Sequence, residues 1–266
     1  MTVFGFIGVG NMGGALARAA AAKLPGSSIM LANRSREKAE KLAAELGAAV
    51  SDNLSIAAEA DYIFLGVKPQ MLPGVLAELA PVLAGRESPF VLVSMAAGTS
   101  IEKVQQLSGV KWPVIRIMPN TPASIGKGMI LYAPGEEVSR EQLDIFLELM
   151  SGAGRFTRLE ERLIDAGSSV SGCGPAFADL FIEALADGGV ACGLPRSAAI
   201  EMAAQMLLGS AALVLESGKH PGQLKDAVCS PGGTTIQGVR ALEKNGFRSA
   251  VMEAVIAAYE KNFDLK

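Results

Sequence analysis

Two glycine-bearing stretches hold the residues best suited to chemistry. Gly8, Gly10 and Gly13 form G-x-G-x-x-G within F-G-F-I-G-V-G-N-M-G, after an apolar run and before an Ala-rich one. In a strand–turn–helix unit each glycine has a task. Gly8 permits the tight turn, Gly10 lets the backbone approach a pyrophosphate, and Gly13 lets the helix pack against the strand. Val9, Asn11 and Met12 complete the loop, and the helix start offers free N–H groups and partial positive charge to phosphates. The second stretch is Ser230-Pro231-Gly232-Gly233-Thr234-Thr235, two glycines between hydroxyls at an expected helix start. Bare backbone N–H groups beside Ser and Thr hydroxyls suit a small carboxylate. A plainer reading makes Ser230 an N-cap and Pro231 the first helical residue.

The residues some twenty positions beyond the first motif choose between nicotinamide cofactors. Here they read Ala32-Asn33-Arg34-Ser35-Arg36, with no carboxylate before Glu37. An amide, a hydroxyl and guanidinium groups suit a 2′-phosphate, so NADP(H) is expected to be preferred, with NAD(H) the alternative. Gly66-Val67-Lys68-Pro69-Gln70 and Ala96-Ala97-Gly98 follow strand-like runs, where ligands of open α/β sheets bind. These loops are candidates for the nicotinamide side. His220, in His220-Pro221-Gly222-Gln223, is read as a cap or an exposed side chain rather than a general acid. Cys229 has no adjacent base and is read as packing.

The elements that must position these groups fall into two halves. Apolar runs at Val3–Ile7, Ser28–Ala32, Tyr62–Val67, Phe90–Ser94, Val114–Met118 and Gly128–Tyr132, with one more near Arg155–Thr157, alternate with helix-like stretches such as Glu37–Leu46 and Ser100–Leu107. That alternation predicts an α/β fold with a doubly wound parallel sheet over residues 1–158. Residues 159–266 show no strand pattern. Apolar residues recur at helical spacing in Ala176–Val190, Ser197–Leu215 and Phe247–Tyr259, which predicts an all-helical domain. Residues 1–158 carry net charge +1 and residues 159–266 carry -4, which leaves the mildly positive half for an anionic cofactor.

Composition bounds the rest. The chain has 266 residues, 50% hydrophobic and 19% charged, enough for one large or two ordinary domains. A formal net charge of -3 and 5% aromatic residues argue against nucleic acid as a partner. No uninterrupted apolar run reaches the ~18–20 residues of a membrane span, so no membrane role is expected. A single histidine excludes a multi-histidine metal site, and no metal is expected. Cys173, Cys192 and Cys229 lie far apart, which suits a reducing compartment, and no secretory signal is seen, so a cytoplasmic protein is expected. The helical half is apolar with few charges to cover its outer faces, which points to burial against a second copy.

Taken together, G-F-I-G-V-G-N-M-G, V-K-P-Q (67–70), M-P-N-T-P (118–122), S-G-C-G-P-A (171–176), A-D-G-G-V-A-C-G-L-P (186–195), H-P-G-Q-L-K-D (220–226) and S-P-G-G-T-T (230–235) resemble the pyrroline-5-carboxylate reductase family over essentially the whole chain. The resemblance implies NAD(P)H-dependent reduction of the C=N bond of 1-pyrroline-5-carboxylate to L-proline. It implies a Rossmann-like cofactor domain and a helical substrate-binding and dimerisation domain, assembled as a homodimer or as a decamer of dimers. It places Gly8 to Gly13 at the pyrophosphate, Asn33, Arg34 and Ser35 at the adenosine ribose, and Asn53 at the adenine. Val67, Lys68, Pro69 and Ala97 then run toward the nicotinamide. Ser230, Gly233, Thr234 and Thr235 hold the substrate, with Thr235 the catalytic hydroxyl nearest the ring nitrogen, and Glu161 matches a ligand-contacting glutamate. Where many members have Asn in K-D-N-V, this chain has Ala227. Two other classes share the fingerprint. A hydroxyacid dehydrogenase would need a lysine acid or base, for which Lys225 is the candidate, and a non-catalytic NADP sensor would not need the 230–235 motif.

Overall fold

The computed structural model describes residues 1–263. It has two compact units, one of Met1–Cys173 with the segment from Ala258, the other of Gly174–Ala257.

The first unit is built on an eight-stranded sheet of β1 (Phe4–Ile7), β2 (Ile29–Ala32), β3 (Ala49–Val50), β4 (Tyr62–Leu65), β5 (Val91–Ser94), β6 (Val114–Met118), β7 (Gly128–Pro134) and β8 (Gly154–Arg158). The spatial order is β3-β2-β1-β4-β5-β6-β7-β8. Helices α1 (Asn11–Ala21), α2 (Arg36–Leu46), α3 (Asn53–Glu59), α4 (Leu72–Ala84), α5 (Ile101–Ser108), α6 (Arg140–Leu149) and α7 (Ile164–Ser171) belong to this unit. β1, β2, β4 and β5 are buried along their whole length, which is why they read as continuous apolar runs rather than alternating ones. The helices divide the core in two. On one face Leu16 and Ala20 of α1 and Phe146 of α6 pack on Phe4, Phe6 and Phe64. On the other, Leu72, Leu76 and Leu79 of α4 pack with Ile7, Ile63 and Leu65.

The doubly wound expectation is met with two differences. β7 runs antiparallel to β6. Only a short turn around Thr121–Ile125 joins them, too few residues for the crossover that a parallel pair requires. β3 is a two-residue edge strand in an Ala-rich stretch that has no β-branched run to announce it.

The second unit is helical, as the spacing predicts, but begins at Gly174 rather than at residue 159, since α7 belongs to the first unit: α8 (Gly174–Ala191), α9 (Arg196–Ser217), α10 (Pro221–Val228), α11 (Thr234–Lys244) and the greater part of α12 (Phe247–Phe263). α8 and α9 pack together, and Phe181 of α8 meets Phe247 of α12 with ring centroids 5.7 Å apart. One expectation from composition is corrected here. α9 is 22 residues long and apolar, and by length and composition it could cross a membrane. Isolated polar residues such as Glu201 and Gln205 break the run in the sequence, but the average over the helix remains apolar.

Candidate active site

β1 lies between β2 and β4, so the winding reverses beside it and a crevice opens outside the carboxyl ends of β1 and β4. The fingerprint loop lines that crevice. Gly8 has φ +95, and a Cβ placed on it would lie 2.6 Å from the carbonyl oxygen of Gly66. A Cβ on Gly66 would in turn collide with the Gly8 carbonyl, so the β1 and β4 loops abut through glycines at both positions. A Cβ on Gly13 would strike the Gly8 carbonyl as well, which shows how tightly α1 turns onto β1. Gly10 differs: a Cβ there would meet no protein atom within 4 Å. No packing within the chain requires glycine at this exposed position, whereas a closely approaching pyrophosphate does. Gly10 is also the N-cap of α1 and makes no side-chain cap, so the first N–H groups of α1 are open to an anion.

The β2 loop is tied to this one. The Asn33 side-chain oxygen accepts the Val9 N–H at 3.1 Å, and its amide nitrogen donates to the Ser35 carbonyl at 3.0 Å. Asn33 therefore shapes the turn. Ser35 is the N-cap of α2 without a side-chain cap bond, so the start of that helix is open too. Arg36 pairs with Glu40 at 2.9 Å, while Arg34 is exposed at the same loop. A free guanidinium, a free hydroxyl and a bare helix start are what a 2′-phosphate needs. Asn53 opens α3, and its amide donates to Glu78 at 2.9 Å.

Val67 and Pro69 are half-buried and Lys68 is exposed after β4. Ala97, half-buried, follows β5 beside Gly98, whose φ of +68 turns the chain toward α5. The first unit thus gathers the four loops named from the sequence, after β1, β2, β4 and β5, at the carboxyl end of the sheet.

In the second unit α10 ends at Val228 and α11 begins at Thr234. Gly233, not Ser230, is the N-cap, so the plainer reading with Ser230 as cap is corrected. Gly232 has φ +70, the Gly233 N–H donates to the Ser230 carbonyl at 3.0 Å, and a Cβ on Gly233 would collide with the Ser230 hydroxyl. The positive φ calls for glycine at 232, while at 233 glycine leaves the Ser230 hydroxyl in place beside the helix start. The result is an uncapped helix start with the exposed hydroxyls of Thr234 and Thr235 at its first two positions and Ser230 beside it. His220 caps α10: its Nδ1 accepts the Gly222 N–H at 3.0 Å, and Gln223 accepts the His220 N–H at 3.2 Å. Lys225 sits 2.6 Å from Asp226, whose carboxylate holds its amine above the usual lysine range. Ala227 is exposed on the same helix.

Glu161 lies on a short turn before α7. Its Oε1 accepts the Ile101 N–H at 2.6 Å and lies 3.5 Å from Arg116. Reasoning from sequence missed Arg116 and its partner Asp165, joined at 2.5 Å and both buried. The available signal was an arginine inside the apolar strand V-I-R-I-M, where an unpaired charge would be costly. It also missed Asn120, which ties β7 to α7 through the Met129 N–H and the Ser171 carbonyl, both at 2.9 Å.

The geometry is matched by known proteins. Residues 161–265 match the family described as pyrroline-5-carboxylate reductase dimerisation, and residues 3–98 match NADP oxidoreductase, coenzyme F420-dependent. Among named relatives, the pyrroline-5-carboxylate reductase of Glycine max is 42% identical over 98% of this chain and 95% of its own length. That of Escherichia coli is 41% identical over 97% and 96%. Among solved structures, a pyrroline-5-carboxylate reductase from Coxiella burnetii superposes with a TM-score of 0.91 at 30% identity, covering 100% of this chain and 98% of the other. The Plasmodium falciparum pyrroline carboxylate reductase with NADP bound gives 0.87 at 32%, covering 98% and 97%. The fingerprint loops, the helical second unit and this likeness over nearly the whole length together make the chain a member of the pyrroline-5-carboxylate reductase family.

Proposed function

We propose that the chain reduces the C=N bond of 1-pyrroline-5-carboxylate to L-proline, with NADPH preferred over NADH. The observation that carries this reading is the uncapped start of α11, where Thr234 and Thr235 present two hydroxyls beside bare N–H groups. Those N–H groups, with Ser230 and Gly233, hold the substrate carboxylate. Thr235 hydrogen-bonds the ring nitrogen and favours the iminium, the better hydride acceptor. Glu161 is a further candidate for a ligand contact, by its likeness to a glutamate of the family.

The bare Gly10 and the open start of α1 fit a dinucleotide pyrophosphate. Val9, Asn11, Met12 and the three fingerprint glycines would hold it, Asn33, Arg34 and Ser35 the ribose side, Asn53 the adenine, and Val67, Lys68, Pro69 and Ala97 the nicotinamide side. When bound, the cofactor supplies the hydride. The residues of the chain orient the imine, hold its carboxylate and place a proton donor at its nitrogen.

Lys225 is a poor proton shuttle near neutral pH, since Asp226 holds it protonated, which disfavours the hydroxyacid dehydrogenase reading. The chain works as a homodimer, with a decamer as the higher assembly. Its three cysteines are all unpaired, which suits the cytoplasm. The test is NADPH oxidation followed by absorbance, with pyrroline-5-carboxylate against a panel of keto and hydroxy acids. Turnover confined to the cyclic imine is the expected result. Turnover with keto acids alone would overturn the reading, and no turnover with any substrate would leave a sensor.

A further inference from the structure

We propose that Arg116 is a positioning residue for the nicotinamide end of the cofactor, acting on the β5–α5 loop through Glu161. The proposal rests on the reading above that Ala97 borders the nicotinamide. The loop, residues 95–100, has two stems, one lying beside Arg116 in the sheet and the other tied to its guanidinium through Glu161. On one side, Ser94 ends β5 and is the register partner of Arg116 on β6, so their side chains leave the sheet on the same face. On the other, the Ile101 N–H that opens α5 is held by Glu161 across 60 residues of sequence, and Glu161 is held by Arg116. Asp165 anchors the far side of the guanidinium.

Stability alone is a weak reason for this arrangement. A buried ion pair is often no better than apolar residues of the same volume, and its neighbours in β6 are apolar. The network is also incompletely satisfied: Arg116 Nε and Ser94 Oγ are both buried without a hydrogen-bond partner. Unsatisfied groups of this kind are uncommon in native interiors and call for an explanation. What the arrangement does achieve is a fixed spacing between the two stems. A glycine at φ +68 within a six-residue loop would otherwise leave that spacing loose.

The test uses the full chain and NADPH titration without substrate, so that any contact of Glu161 with substrate plays no part. Glu161→Ala and Arg116→Lys are each expected to raise the NADPH Kd about tenfold, the loss of one charge-assisted hydrogen bond, and to shift the emission of bound NADPH toward that of the free form. The affinity for 2′,5′-ADP, which lacks the nicotinamide, stays within about twofold, as expected where a contact is absent from the ligand. Glu161→Gln keeps an oxygen for the Ile101 N–H and recovers most of the loss. If Arg116→Lys does not fold, Glu161→Ala decides alone, since its side chain is 31% exposed. Unchanged NADPH binding and emission in Glu161→Ala, or equal weakening of 2′,5′-ADP, would overturn the proposal. Ala97→Leu separates the two levels. If it perturbs NADPH emission while Glu161→Ala does not, only the role of Arg116 falls. If neither does, the placement of the loop at the nicotinamide falls with it.

Discussion

The three fingerprint glycines differ in what they are for, and substitution separates them. A methyl group on Gly10 meets no protein atom, so Gly10→Ala leaves the fold intact and obstructs only the ligand. Its melting temperature stays near that of the wild type, while NADPH affinity drops about 100-fold, the effect of blocking close approach of the pyrophosphate. Gly13→Ala forces a collision with the Gly8 carbonyl, and both melting temperature and affinity fall. Equal thermal losses in the two variants, measured by calorimetry, would contradict this division. Thr235 is the matching case at the other motif. Thr235→Ala removes the hydroxyl at the second position of α11 and is expected to lower kcat about 100-fold, with Thr235→Ser retaining most activity. Steady-state kinetics with pyrroline-5-carboxylate decides it, and a wild-type kcat and KM in Thr235→Ala would remove Thr235 from the mechanism.

Helix starts carry ligand and stability roles in different ways. α1, α2 and α11 begin without a side-chain cap and face candidate ligand sites. α3 is capped by Asp52, whose carboxylate accepts the Ser55 N–H at 2.8 Å and the Ser55 hydroxyl at 3.0 Å. Those bonds hold its pKa below the usual carboxylate value. With the folded pKa lowered, the contribution of Asp52 is complete above the unfolded pKa of about 4 and is lost as pH falls through the folded value. The gap in urea midpoint between wild type and Asp52→Ala should therefore be widest at neutral pH and narrow in acid. A gap that does not vary with pH would show that the carboxylate charge is not what caps α3. Most of this element pattern was legible in sequence, because buried parallel strands leave continuous apolar runs and amphipathic helices leave their own period. The antiparallel turn of β7 was not, since its apolar run looks the same in either direction and only the connection length distinguishes them. The position of the α11 cap was hidden because Ser230 and Gly233 both favour N-cap positions, and the left-handed turn at Gly232, which starts the helix later, exists only in three dimensions. Arg116 was visible as an oddity, but its partners lie 45 and 49 residues away.

At the scale of the molecule, the helical unit leaves large apolar side chains uncovered. Leu180, Met202, Leu208 and Leu215 are each more than half exposed, and little of α9 is buried. Apolar area of that extent is seldom left in water, so something covers it. A bilayer would suit the length and composition of α9. A second copy suits it better: the same residues fall in a family region described as a dimerisation domain, and small residues line the helix throughout, which lets helices approach closely. Light scattering after size-exclusion chromatography should therefore give a mass of at least two 27.5 kDa chains without detergent, and the protein should not float with lipid vesicles. Leu208→Glu combined with Leu215→Glu should reduce that mass, since placing charge in an apolar contact costs several kcal/mol. A wild-type mass of one chain would refute self-association through these helices, and co-flotation with vesicles would move the covering partner from protein to lipid.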